Sequence, residues 1–340
     1  MDIPPHSSLP LVIRSMKKIF VLTAFIFLPF RVNASTIEWN NTGSDYATNS
    51  DWVLGVAPAN STTTDIAAFG ATGASAINPV LAAARSVAGV SFLSGAYAYT
   101  FSGAILTIGA SGISDSAANT ESFSNTLRPS TSETWTTAGG GTLVFNGTVD
   151  INGNAATTRT LTIAGAGTTT INGALQNSFA GSTGKFIYSG TGTLTLANTN
   201  SYNGGTTVSG SGGVLLATAT GSLGAGNVSL TAGTVTLTLQ GVSQDYIANT
   251  ANLSIGFTTD VVNLNFTGTD VIGSLTVAGI QELPGIYGGT GSGATFILPE
   301  FAGTGTLTVL STIPEPSTFA TVGFGGVLFL AARSMRRKRV

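Results

Sequence analysis

The sequence predicts an all-β solenoid, in its simplest form a right-handed parallel β-helix, and three observations lead to that expectation. Short runs in which apolar residues alternate with Thr recur along the chain: Thr142-Leu143-Val144-Phe145, Leu161-Thr162-Ile163, Thr193-Leu194-Thr195-Leu196 and Thr306-Leu307-Thr308-Val309. Alternation at period two is the pattern of a strand with one face buried. Successive runs lie roughly 20 residues apart, the spacing of stacked coils. The composition agrees, with 45 glycines in 340 residues and only 8% charged residues, as frequent tight turns on a weakly charged body require. Each run is too short to stand as a sheet, whereas stacked runs share one apolar interior and satisfy each other's backbone groups. A β-sandwich is the alternative, because turn signals about every 8–12 residues also suit it.

Taken in order, residues 1–34 read as a secretory signal peptide. Met16-Lys17-Lys18 supplies a charged start, residues 19–30 an apolar run, and Val32-Asn33-Ala34 modest side chains before a cut between Ala34 and Ser35. Nothing ahead of Met16 has signal character, so Met16 is the expected start of translation and signal peptidase an expected partner. His6, the single histidine, falls in this segment, and the chain has no cysteine. The exported chain is therefore expected to lack disulfides, thiolate metal sites and Ser/His or Cys/His catalytic pairs.

Residues 35–81 read as a cap over the first coil. Trp39 and Trp52, with Asn and Asp neighbours, have two readings: a stacking platform for sugar rings, or aromatic cover for an open solenoid end. The second is favoured, because an uncapped terminal coil leaves free edges. Asp45, Asp51 and Asp65 offer oxygen ligands for calcium, but their spacing matches no calcium-binding repeat.

Residues 82–311 form the body. From 35 to 311 there are 13 acidic and 4 basic residues, a formal charge of −9, which excludes a nucleic-acid surface. On paper, Asp115 with Glu121, or Asp260 with Asp270, offers the paired carboxylates of a glycoside hydrolase. Neither pair sits in a motif. Arg85, Arg128, Arg159 and Lys185 are scattered and read as solvated surface charge. Gly139-Gly140-Gly141 and residues 288–293 are glycine-rich, without the strand–helix context or following Lys of a phosphate loop. No catalytic residue, metal or cofactor is expected, and the chain is read as a non-enzyme.

Within the body, residues 189–216 carry Gly192-Thr193-Leu194, Leu196, Asn200, Tyr202, Gly204-Gly205-Thr206 and Val208. This pattern resembles the autotransporter-associated β-strand repeat, and residues 272–307 resemble the closing segment of such proteins. The resemblance implies a surface-exposed β-helix in which Tyr202 and Tyr287 pack at turns. Autotransporters end in a membrane β-barrel, and the residues after 310 are too few for one, so a self-transporting passenger is not expected.

Residues 312–340 have three parts: Pro314-Glu315-Pro316, an apolar helix at 318–332, and a basic cluster of Arg333, Arg336, Arg337, Lys338 and Arg339. An apolar run of 15 residues makes about 22 Å of helix, short of a hydrocarbon core of about 30 Å. The cluster would hold the tail in the cytoplasm and the body outside. A plain single-pass anchor is one reading. The order of the parts resembles the PEP-CTERM sorting signal, which implies recognition by an exosortase, a membrane processing enzyme, at the Pro-Glu-Pro motif. The expectation is thus an exported, non-enzymatic structural or adhesive protein. It would pass through an inner-membrane-anchored intermediate to the cell surface or an extracellular polysaccharide matrix. The alternative is a polysaccharide-binding protein or a polysaccharide-degrading β-helix enzyme.

Overall fold

The computed structural model describes residues 34–310, apart from Gln244. Residues 1–33 of the expected signal peptide, 1–34, and the tail 311–340, with the helices expected in each, lie outside the described residues. Within them the chain forms a parallel β-solenoid of about 9 turns. Each turn feeds a 15-stranded sheet and then a 10-stranded sheet. Thr183–Tyr188 lies in the first, Thr193–Leu196 in the second, Thr206–Val208 in the first again and Val214–Ala217 in the second. Of the described strand pairings only two are antiparallel, Ser274–Val277 with Ile280–Gln281 and Gly285–Gly288 with Thr306–Val309. Parallel pairing between alternate strands of the chain excludes the sandwich, whose sheets are antiparallel.

The coils are longer and less even than a period of about 20. Thr168, Thr193, Val214, Thr236 and Val261 are successive register partners, at intervals of 25, 21, 22 and 25 residues. The loops between strands absorb the difference, so strand registers stay aligned while coil lengths vary.

The alternation decides what fills the interior. Leu194, Leu215, Leu237 and Val262 are register partners and all are fully buried, with Thr and Val neighbours turned outward. Toward the amino end the column becomes aromatic. Phe101, Phe123 and Phe145 are register partners whose rings stack at 4.6 and 5.4 Å. Truncating any one to alanine is expected to cost about 3–5 kcal/mol, as for other buried aromatics.

Corners use glycine where a side chain has no room. Strand Leu106–Asp115 pairs through Leu106–Ile108 with Leu127–Pro129 and through Ile113–Asp115 with Glu133–Thr137. It therefore bends between the two, and Gly112 sits at the bend with φ of 64°. A Cβ there would lie 2.0 Å from the Thr134 carbonyl oxygen.

The repeat-like stretch shows what its polar residues do. The Leu175 N–H donates to Asn200 Oδ1 at 2.8 Å, and Asn200 Nδ2 donates to the Ser222 carbonyl at 2.6 Å, so one side chain ties three coils together. Asn172 donates to Asn146 at 2.9 Å and Asn198 to the Asn172 carbonyl at 2.8 Å, forming an outer column at the turns.

Both ends are closed. At the amino end Trp39 and Trp52 cover Phe69, and Tyr46 packs edge to face on Trp52. At the carboxyl end the strands Thr269–Ile272, Thr306–Val309, Gly285–Gly288 and Phe296–Ile297 form a separate four-stranded sheet, in that order. Among the described residues no helix is long and apolar enough to cross a membrane.

Candidate functional site

The tryptophans do not form a sugar platform. Trp39 and Trp52 are 0% and 1% exposed, and their rings meet edge to face, 4.9 Å apart at 80°. Each indole N–H is spent inside the protein, Trp39 donating to the Ile77 carbonyl and Trp52 to the Tyr46 carbonyl, both at 2.9 Å. Stacking on a sugar needs an open ring face, and neither ring has one. They are the cap.

The three aspartates near them are also separate. Asp45 accepts from the Ala47 N–H at 2.9 Å and from Thr48 Oγ1 at 3.1 Å. Asp65 accepts from Ser35 and from the Ala59 N–H, and Asp51 is buried. Among the described residues no group of three or more His, Cys, Asp or Glu is placed to hold a metal ion.

The paired-carboxylate candidates lie inside the solenoid wall. Asp260 accepts the N–H groups of Val235 and Phe257, both at 3.2 Å. Asp270 accepts those of Tyr246 and Ile247, both at 3.1 Å. Asp115 accepts from Ala117 N–H at 2.9 Å, and Glu121 from Tyr99 N–H at 2.6 Å. All four are buried, and burial is the main cause that lifts their pKa values. Asp115 rises to about 6, and Glu121 and Asp270 to about 7. Glu121, Asp260 and Asp270 each accept a backbone N–H of the neighbouring coil and so act as staples, while Asp115 closes a turn within its own coil.

The basic residues are less uniform than solvated charge. Lys185 is exposed, but Arg159 is only 8% exposed and donates to the Pro129 carbonyl at 2.8 Å. It lies at an inward position of strand Thr158–Gly165, and burial lowers its pKa. Near it Glu133, also inward, accepts the Trp135 indole N–H at 2.7 Å, and burial pushes its pKa up to about 9. Asp150 takes Arg128 at 3.3 Å and the N–H and hydroxyl of Ser178 at 3.0 and 2.6 Å, linking three coils. Sequence reasoning passed over Glu133 and Asp150. The available signal was Glu133 at an i, i+2 spacing from Trp135, which puts both on the buried face.

The glycine-rich segments are turns. Gly140, Gly291 and Gly293 have φ of 91°, 85° and 80°. Tyr202 and Tyr287 are buried, as the repeat resemblance implies. The Tyr202 hydroxyl meets Thr206 Oγ1 at 2.5 Å, and Thr206 donates to the Leu223 carbonyl at 2.9 Å. Tyr287 donates to the Leu283 carbonyl at 2.7 Å. Tyr202→Phe removes one bond and leaves Thr206 satisfied, an expected loss of about 1 kcal/mol. Thr206→Val strands both the Tyr202 hydroxyl and the Leu223 carbonyl, and its Tm is expected to fall further than that of Tyr202→Phe.

Of the expected cleavage residues, Ala34 precedes and Ser35 opens the first strand, Ser35–Glu38, which borders a cleft of about 400 Å³ with Leu54, Val56 and Leu93. Pro314, Glu315, Pro316 and the basic cluster lie outside the described residues.

Fold and side-chain placement together define a capped parallel β-solenoid in which buried Glu121, Asp150, Asp260, Asp270 and Asn200 hold neighbouring coils together. Its address is carried by the tail. A family model of the PEP-CTERM protein-sorting motif matches residues 312–338. That motif marks a chain for export and for membrane-associated processing toward the cell surface by exosortase, a membrane protein. No curated protein and no solved structure matches the chain.

Proposed function

We propose that residues 35–310 are a non-enzymatic structural and adhesive element. In this reading signal peptidase frees it at Ser35, exosortase cuts it at Pro314–Pro316, and it is delivered to a surface matrix of uncharged polysaccharide. The autotransporter-like repeat at 189–216 fits such a surface-exposed body. One observation carries the adhesive reading: the outward face of the ten-stranded sheet bears no charged residue along its strands. Thr120, Thr142, Thr168, Thr193, Val214 and Thr236 follow one another in register there. All six are β-branched and so restricted in rotamer. They set out hydroxyl and methyl groups at steps of about 4.8 Å. Such a face suits a neutral, repeating polymer, while the formal charge of −9 over 35–311 disfavours an anionic one.

The test is co-sedimentation with matrix polysaccharide isolated from the producing cells. Thr195→Glu places a charge in the middle of this face and is expected to weaken binding several-fold, whereas Thr160→Glu on the other sheet leaves it unchanged. Equal binding by both variants, or no binding by the parent, contradicts the adhesive reading.

A further inference from the structure

The outward face of the carboxyl-terminal sheet is apolar and open, except over Gly288, where Ser292 and Ala294 cover it. Register fixes which residues share it. Ile286 stands opposite Thr308, Thr308 beside Val271, and Ile297 beside Gly288, while Tyr287, Leu307 and Ile272 point the other way into the core. Leu310 continues the alternation past Val309 onto the outward side. Ile286, Ile297 and Leu310 are 41%, 48% and 44% exposed. Ile280 and Leu283, in the hairpin that leads into this sheet, are 68% and 70% exposed. No strand of the sheet turns a charged residue onto this face, half-buried Glu282 standing in the hairpin between Ile280 and Leu283, and its hydroxyls include Thr269 and Thr308, which bond each other at 2.9 Å. From 186 to 310 the chain has neither Lys nor Arg. An apolar face of this kind without basic residues does not recruit an anionic polymer.

The chain leaves the solenoid from this sheet. Strand Thr306–Val309 lies between two others in it, and residue 310 is followed by only seven residues, 311–317, before the apolar segment at 318–332. Seven extended residues reach at most about 25 Å. With that segment in a bilayer, the closing sheet is confined to a short distance from the lipid surface.

We infer that the outward face of the closing sheet, centred on Ile286, Ile297 and Leu310, rests on the lipid surface in the membrane-anchored precursor. This rests on the reading of 318–332 as a membrane segment. The contact is apolar, made by shallow insertion of aliphatic side chains, as at other interfacial surfaces. It stands the coil stack on the membrane by its carboxyl end and keeps the Pro314–Pro316 motif at the bilayer surface, where a membrane enzyme works. After cleavage the tether is gone, and the small apolar contact alone does not hold the body.

The chain's lack of cysteine makes the test clean. The full chain, with Ile297→Cys or with Val242→Cys on the exposed body, is labelled with bimane. It is then reconstituted into phosphatidylcholine vesicles containing brominated lipid. The label at 297 is expected to shift to the blue and lose at least half its intensity, with the label at 242 unaffected. If the chain floats with the vesicles but both labels behave alike, the inference is overturned and the membrane segment stands. If the chain does not float with them, the membrane segment fails and the inference with it. A disulfide-linked dimer formed readily through residue 297 under oxidant assigns the face to a second copy and also overturns the inference.

Discussion

Gly112→Val is expected to lower the Tm of the body by about 10 °C or more and to cut the yield of folded protein sharply. Two costs add. A β-branched residue at φ of 64° is strained by about 1–3 kcal/mol. The new Cβ also meets the Thr134 carbonyl at 2.0 Å, and that carbonyl belongs to the next coil. Relieving the clash means parting two coils at a corner, so the loss reaches about 3–5 kcal/mol. For a body of this size each kcal/mol is about 2–4 °C in Tm. Gly95→Val separates the two terms. Gly95 has φ of 79°, but nothing lies within 4 Å of its added Cβ. Its cost is the backbone strain alone, so its Tm is expected to fall by a few degrees, clearly less than that of Gly112→Val. Equal losses from the two variants would show that the corner is not under close contact.

The second large effect is an inverted pH profile. Many proteins lose stability in acid because their carboxylates are favoured as anions in the folded state. Here every carboxyl with a resolved displacement moves upward, and desolvation is the leading cause: Asp115 to about 6, Glu121 and Asp270 to about 7, Glu133 to about 9, with Asp260 also raised. The unfolded chain releases these protons near pH 4, the folded chain only at higher pH. The stability they contribute is complete below about pH 4 and is lost as pH rises through 6 to 9. The loss is on the order of a few kcal/mol for a group such as Glu121 or Asp270. The Tm is therefore expected to be highest near pH 4–5 and to fall steadily toward pH 8–9. Glu121→Gln and Asp270→Asn keep the shape and remove the charge, and each is expected to flatten the profile and raise the Tm at pH 8. A Tm that rises from pH 4 to pH 8 would mean that these carboxyls are ionised in the fold.

Much of the architecture was legible because a solenoid repeats its local rule. Leu194 and Leu196 lie inside because Thr193 and Thr195 lie outside, and the same alternation places Leu237, Leu239 and Leu161. Trp39 and Trp52 were readable as a cap, because a coil stack has to end. Coil length was not readable. Between Tyr188 and Thr206, and again between Leu230 and Asn252, stretches of different length, each carrying a strand of the other sheet, join strands that pair in register. Nor was the fate of the charged residues. Glu121, Glu133 and Arg159 occupy inward positions of runs that look polar; the partners of Glu121 and Arg159, Tyr99 and Pro129, are chosen by the stacking of coils, whereas Glu133 meets Trp135 on its own strand. The closing sheet was hidden for the same reason: Thr306–Val309 looks like one more coil strand, yet it pairs antiparallel with Gly285–Gly288.

The central claim is that a folded coil stack is exported and then released from its sorting tail. Mass spectrometry of the protein recovered from inner membrane, cell surface and medium tests it most directly. The expected result is a surface or medium form that begins at Ser35 and ends within Pro314–Pro316, with the Arg336–Arg339 cluster confined to precursor in the inner membrane. A surface form that still carries that cluster, or a chain found only in the inner membrane with its tail intact, would contradict it.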